Sequence, residues 1–106
     1  MVTIDDFRKL EFKIAQIKAV EPHPNADKLY ILRIQVGETE KSIVAGIRPF
    51  YQIGELIGKK IVVVANLEPA VIRGVESQGM LLAASEGEIL SLVIPEREIP
   101  TGAKVR

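Results

Sequence analysis

The side chains that could do chemistry in this chain are few and poorly partnered. His23 is the only histidine among 106 residues, set between Pro22 and Pro24 with Asp27 nearby. As a metal ligand it would need a second imidazole or a thiolate, and the chain has no cysteine. A packing or hydrogen-bonding role in a loop is the expectation. Ser77 lies in Gly74-Val75-Glu76-Ser77-Gln78-Gly79, which is one residue too long for the G-x-S-x-G elbow of a serine nucleophile. No histidine follows it to act as base. Its hydroxyl reads as a turn former, or as a donor offered to a phosphate or sugar. Neither G-x-x-x-x-G-K-[ST] nor G-x-G-x-x-G occurs. Asp5 and Asp6 suit a helix start, and Glu38 and Glu40 flank a turn, so no carboxylates form a recognisable catalytic pair. The expectation is no catalytic residue, no metal and no cofactor.

Binding remains. Lys13, Lys28, Arg33, Lys41, Lys59, Lys60 and Arg73 are the candidate basic surface, with Lys13 and Arg33 on the polar faces of strands. Asn66 follows a wholly apolar run, so its amide sits at a rim where it caps a turn or meets a ligand. Fourteen basic residues balance fourteen acidic ones, which is not the charge of a simple basic nucleic-acid domain. The first 60 residues nevertheless carry ten basic against eight acidic side chains. A local basic face on a neutral chain neutralises few phosphates, giving modest affinity or a need for two subunits. Aromatics are limited to Phe7, Phe12, Tyr30, Phe50 and Tyr51. With little on which to stack bases, readout of shape and backbone is favoured.

The elements that must position these residues are short. Thr3 ahead of Asp5 and Asp6 predicts a helix ending near Lys9, with Ile4, Phe7 and Leu10 facing inward. Leu10 to Val20 reads as one strand whose apolar face switches near Ala15, as a bulge or bend would allow. After the loop Glu21 to Asp27, Lys28 to Val36 alternates with period two. Gly37-Glu38 turns it into Lys41 to Ile47. Pro49 to Leu56 predicts a helical turn with Pro49 at its first position. Lys60 to Ala65 is a central strand, and residues 66–78 a long connection. Gly79 to Ala84 and Ile89 to Ile94 are two further strands, and Pro95 to Arg106 a loop or docking tail. The sum is an all-β, five-stranded barrel in one domain, residues 1–106. A short N-terminal helix, a helical turn between the third and fourth strands and an extra C-terminal strand or tail complete it. That is the layout of an OB fold. The lack of cysteine, signal region and long apolar run predicts a cytoplasmic chain with no membrane contact.

Three stretches carry a resemblance: Glu21 to Tyr30 (Glu-Pro-His-Pro-Asn-Ala-Asp-Lys-Leu-Tyr), Ile43-Val44-Ala45-Gly46-Ile47, and Ala65-Asn66-Leu67-Glu68-Pro69 leading to Ile72 through Met80. Together they resemble the tRNA-binding domain at the C-terminus of methionyl-tRNA synthetase. That domain also occurs as a free-standing β subunit, as a structure-specific tRNA-binding protein and in the endothelial monocyte-activating polypeptide group. The resemblance implies an OB barrel that forms a homodimer. It implies binding of the outer corner of tRNA, in cis or trans with a methionyl-tRNA synthetase catalytic chain and without chemistry. It maps the polar surface onto Asn25, Lys28, Arg33, Asn66, Arg73, Ser77 and Gln78, to which Lys41 is added from the basic set. Met80 belongs to the motif as a core residue. The apolar tail residues Ile94, Pro95, Ile99 and Val105 are consistent with a dimer. Where relatives place basic residues around the loop proline, this chain has Glu68, Ala70 and Val71, which implies fewer phosphate contacts. The alternative within the fold is a protein-binding export chaperone of the CsaA-like group.

Overall fold

The computed structural model describes all residues 1–106. Period-two alternation in Tyr30–Val36 (β2) becomes burial of Tyr30, Leu32, Ile34 and Val36 on one face. Around it the chain builds β1 (Phe12–Pro22), β3 (Thr39–Ala45), β4 (Lys60–Val64) and β7 (Met80–Leu81). The sheet order is β3-β2-β1-β4-β7, every pair antiparallel. The long β1 serves both sides of the curl, pairing with β4 over Phe12–Gln16 and with β2 over Gln16–Pro22. Its irregularity falls between Ile17 and Ala19 rather than at Ala15. Ile14 and Ala15 are both buried because β1 is covered on both faces there, so alternation in that half does not report a bend.

Ala15, Ile17, Leu32, Ile34, Ile43, Ile47, Ile61 and Val63 fill the barrel, with Leu56 of α2 (Ile53–Leu56) plugging it. The helix lies between β3 and β4 as expected, but begins after Pro49. Gln52 precedes it, and the Glu55 carboxylate accepts the Gln52 backbone N–H at 2.8 Å. The connection 66–78 holds a hairpin not foreseen, β5 (Ala70–Ile72) and β6 (Val75–Ser77). A second hairpin, β8 (Ala83–Glu86) with β9 (Ile89–Leu92), follows β7. The tail supplies β10 (Lys104–Val105), which pairs with the start of β1.

The N-terminal helix α1 (Ile4–Arg8) starts on the Thr3 hydroxyl, which accepts from Asp6 N at 3.1 Å. Hydrogen bonds from Lys9 and then Thr3 hold the Asp6 carboxyl below its ordinary value. None of its residues is buried, which corrects the inward placement of Ile4, Phe7 and Leu10. Phe7 stacks on Phe12 with ring centroids 5.4 Å apart, and that contact seats the helix. Met80 is likewise half exposed rather than core, because only its neighbour Leu81 points into the barrel. No helix is long and apolar enough to cross a membrane.

Candidate nucleic-acid interface

The loop after β1 is organised by its histidine. His23 is buried, its backbone N–H donating to Leu29 O at 3.0 Å. Its Nδ1 accepts the Asn25 backbone N–H at 3.0 Å, so Nδ1 carries no proton and Nε2–H donates to Ile72 O, also at 3.0 Å. Ile72 precedes the two-residue turn of the β5–β6 hairpin. Arg73 and Gly74 in that turn both have positive φ, 53° and 90°. Two left-handed residues give the turn whose twist suits a tight hairpin, and the first position ordinarily takes Asn, Asp or Gly. Arg73 is the only non-glycine residue in the chain with positive φ. Its Nη2 donates to Asn25 O at 3.1 Å, and Asn25 Nδ2 returns a bond to Arg73 O at 3.2 Å. Asn25 and Arg73 are thus brought together, with exposed Lys28 on the same loop.

Four of the other expected site residues are engaged in hydrogen bonds within the chain. Ser77 is buried; its hydroxyl accepts from Val44 N and donates to Gly79 O, both at 2.9 Å. Gln78 takes the Ser42 N–H on Oε1 at 2.9 Å and gives its own backbone N–H to Ser42 O at 2.8 Å. These bonds close the barrel between β3 and the start of β7, where no regular ladder forms. Asn66 bridges the α1–β1 joint, Oδ1 accepting from Glu11 N at 2.9 Å and Nδ2 donating to Lys9 O at 2.7 Å. Lys41 Nζ donates to Ala65 O at 2.9 Å. Arg33 is exposed on β2 and ion-paired with Glu40 at 3.2 Å. It borders a hollow of about 180 Å³ with Ala19, Val20, Glu21, Ile31 and Ser42.

The wider basic set does not form one continuous face. Lys60 is held by Glu98 and by Ile99 O, and with Lys59 it lines a cleft shared with Glu96, Arg97 and Glu98. Lys13 lies directly across from Lys104 in the β1–β10 register. No three His, Asp or Glu side chains converge as a metal site would require. His23 has the loop hydrogen-bonding role expected of it. Its signal was a lone ring confined between two prolines, but its partner lies 49 positions away.

A curled antiparallel barrel with its helix between the third and fourth strands defines the OB class. Such barrels hold oligonucleotides and oligosaccharides. The chain belongs to the putative tRNA binding domain family, whose model matches residues 12–104. It is similar to the methionine–tRNA ligase of Pyrococcus horikoshii, 50% identical over 105 residues, which is 99% of this chain and 14% of that protein. The methionine–tRNA ligase of Thermotoga maritima is 52% identical over 104 residues, 98% of this chain and 16% of that protein. The chain therefore spans about one-seventh of the length of these synthetases. Among solved structures it resembles a MetRS related protein from Pyrococcus horikoshii, with TM-score 0.92, 36% identity and coverage of 100% and 98% of the two chains. It equally resembles the CsaA chaperone protein from Picrophilus torridus, with TM-score 0.92, 34% identity and full coverage of both chains.

Proposed function

We propose that this domain binds tRNA by shape and phosphate contacts and performs no chemistry on it. Its role is to raise the local concentration of tRNA for a methionyl-tRNA synthetase, as part of that chain or beside it in the cytoplasm. The observation that carries this reading is Arg73. A position at ease with Asn or Gly holds a guanidinium instead, at a cost of roughly 1 kcal/mol in backbone strain. Only one of its N–H groups is used within the protein. The exposed cation Lys28 stands on the adjoining loop, and Arg33 lies on the neighbouring strand face. In this reading Asn25, Lys28, Arg33 and Arg73 meet the RNA, while Lys41, Asn66, Ser77 and Gln78 shape the surface that presents them. Scarce aromatics and zero net charge favour backbone contacts of moderate strength.

The working form in this reading is a homodimer. Support comes from the exposed apolar side chains Ile4, Phe7 and Leu10, which border a hollow of about 390 Å³ with Val105. A mobility-shift titration with bulk tRNA at rising salt tests the binding. A salt-sensitive shift is expected, and no shift at tens of micromolar protein in low salt would refute it. Sedimentation equilibrium should give twice the mass of one 11.7 kDa chain.

A second reading, capture of extended polypeptide, is supported by the likeness to CsaA chaperones and by one surface. Exposed Met80 borders an apolar hollow with Val44, Ile47, Ala83 and Leu90. Peptide-array binding by a chain with no tRNA affinity would favour it.

A further inference from the structure

We propose that His23 is a positioning residue for the RNA-binding surface, joining the Asn25–Lys28 loop and the Arg73 turn into one preorganised unit. The inference rests on the tRNA reading above and deepens it.

Both ring nitrogens are spent within the protein, so the imidazole itself is not offered to a ligand. What it grips is selective. One nitrogen holds the backbone N–H of Asn25 itself; the other holds the carbonyl of Ile72, the residue next to Arg73. The two segments also exchange a reciprocal pair of bonds, Asn25 Nδ2 to Arg73 O and Arg73 Nη2 to Asn25 O. Three bonds thus cross between segments separated by 48 or 49 positions. No regular sheet pairing joins loop and hairpin, since β5 and β6 pair only with each other. Without the ring, the loop and the strained turn would depend on the Asn25–Arg73 pair, both of whose partners are exposed. Exposed bonds of that kind contribute little against solvent competition. A guanidinium and an ammonium held at fixed separation bind a phosphate run better than two independently moving cations, because less ordering is required on binding.

Only the neutral ring has a free lone pair at Nδ1, so the grip uses one tautomer. The ring's own segment carries the charged groups Glu21, Asp27 and Lys28, the hairpin carries Arg73 and Glu76, and Arg48 Nη1 reaches Ala26 O at 3.4 Å. None of them bonds the ring; both of its partners are main-chain atoms.

The test is a double-mutant cycle read by tRNA affinity. His23→Ala and Arg73→Ala are each expected to weaken binding roughly tenfold, and the double variant to be scarcely weaker than either, a coupling of the size found for residues in contact. His23→Asn keeps an oxygen for the Asn25 N–H, and His23→Gln extends an amide toward Ile72 O. Each is expected to recover part of the affinity lost in His23→Ala, a pattern that a general loss of stability would not produce. Should His23→Ala fail to fold, the cycle is run with His23→Asn. Multiplying effects of the two substitutions, or full affinity in folded His23→Ala or His23→Asn, would overturn the inference while leaving tRNA binding intact. Absence of binding by the unaltered chain would overturn the tRNA reading, and this inference with it.

Discussion

Gly102 and Gly37 meet backbone to backbone. A Cβ placed on Gly102 would lie 2.8 Å from the Gly37 Cα and 3.0 Å from its nitrogen. This close approach lets the tail leave Pro100, donate from Gly102 N to Ile14 O at 2.7 Å and then lay β10 against β1. Gly102 also sits at φ 85°, where side chains are strained. Gly102→Ala is expected to lower unfolding stability by about 2 kcal/mol, from strain and clash together. Amides of Lys104 and Val105 should exchange faster. Gly87→Ala is the control, having positive φ but nothing within 4 Å, and should cost only about 1 kcal/mol.

Ser77→Ala would leave the Val44 N–H inside the barrel wall without its acceptor and Gly79 O without its donor. The cost of an unsatisfied buried group, about 1–3 kcal/mol, should appear in urea denaturation. In the proposed division of roles, tRNA affinity per folded molecule stays within a factor of about two of the parent.

Asn66→Asp keeps an acceptor for Glu11 N but sets a carboxylate oxygen against Lys9 O, where the amide now donates. The expected result is release of α1 and loss of the Phe7–Phe12 stack. Proton spectra should show the Phe7 ring signals moving to free-chain positions. Asn66→Ala should free the helix to a similar degree, since both bonds go at once.

Acid should loosen the same helix. Asp6 has its carboxyl lowered by Lys9 first and Thr3 second, below an ordinary value of 3.8. A depressed folded value means the carboxylate favours the folded helix at all pH above the ordinary range. That contribution is lost as pH falls through the depressed value. Helix amide protection should therefore decline in strong acid, and Asp6→Asn should flatten that dependence. Because Asp6 and its partner Lys9 both face solvent, the effect should shrink in high salt.

In the tRNA reading, Lys28→Ala and Arg73→Ala each remove one phosphate partner. Each should lower the slope of log affinity against log salt by close to 1. Glu68→Lys, which puts an ammonium in place of a carboxylate just ahead of the β5–β6 hairpin, should raise affinity at low salt. Filter binding across a salt series measures all three.

Much of the architecture was legible in the residues themselves. Alternation in Tyr30–Val36 names both the strand and its inner face, because successive side chains on a strand point to opposite sides. Thr3 with Asp5 and Asp6 marks a helix start because the orphan N–H groups there need an acceptor. The stretches Glu21 to Tyr30, Ile43 to Ile47 and Ala65 to Met80 resemble the tRNA binding domain family to which the chain belongs.

Periodicity tells which way a residue points, not what covers it. Ile4, Phe7 and Met80 read as interior and are exposed, since the rest of the chain covers them only in part. The hairpin of Ala70–Ile72 and Val75–Ser77 was hidden because its turn uses Arg-Gly, without the usual Asn or Asp. Tertiary structure alone decided the partners of the polar residues: His23 with Ile72, Ser77 with Val44, Asn66 with Lys9 and Glu11. A buried or rim polar group must find a partner once water is removed. Closure of the barrel, bringing residues 33 to 57 positions apart into contact, determines which one it finds.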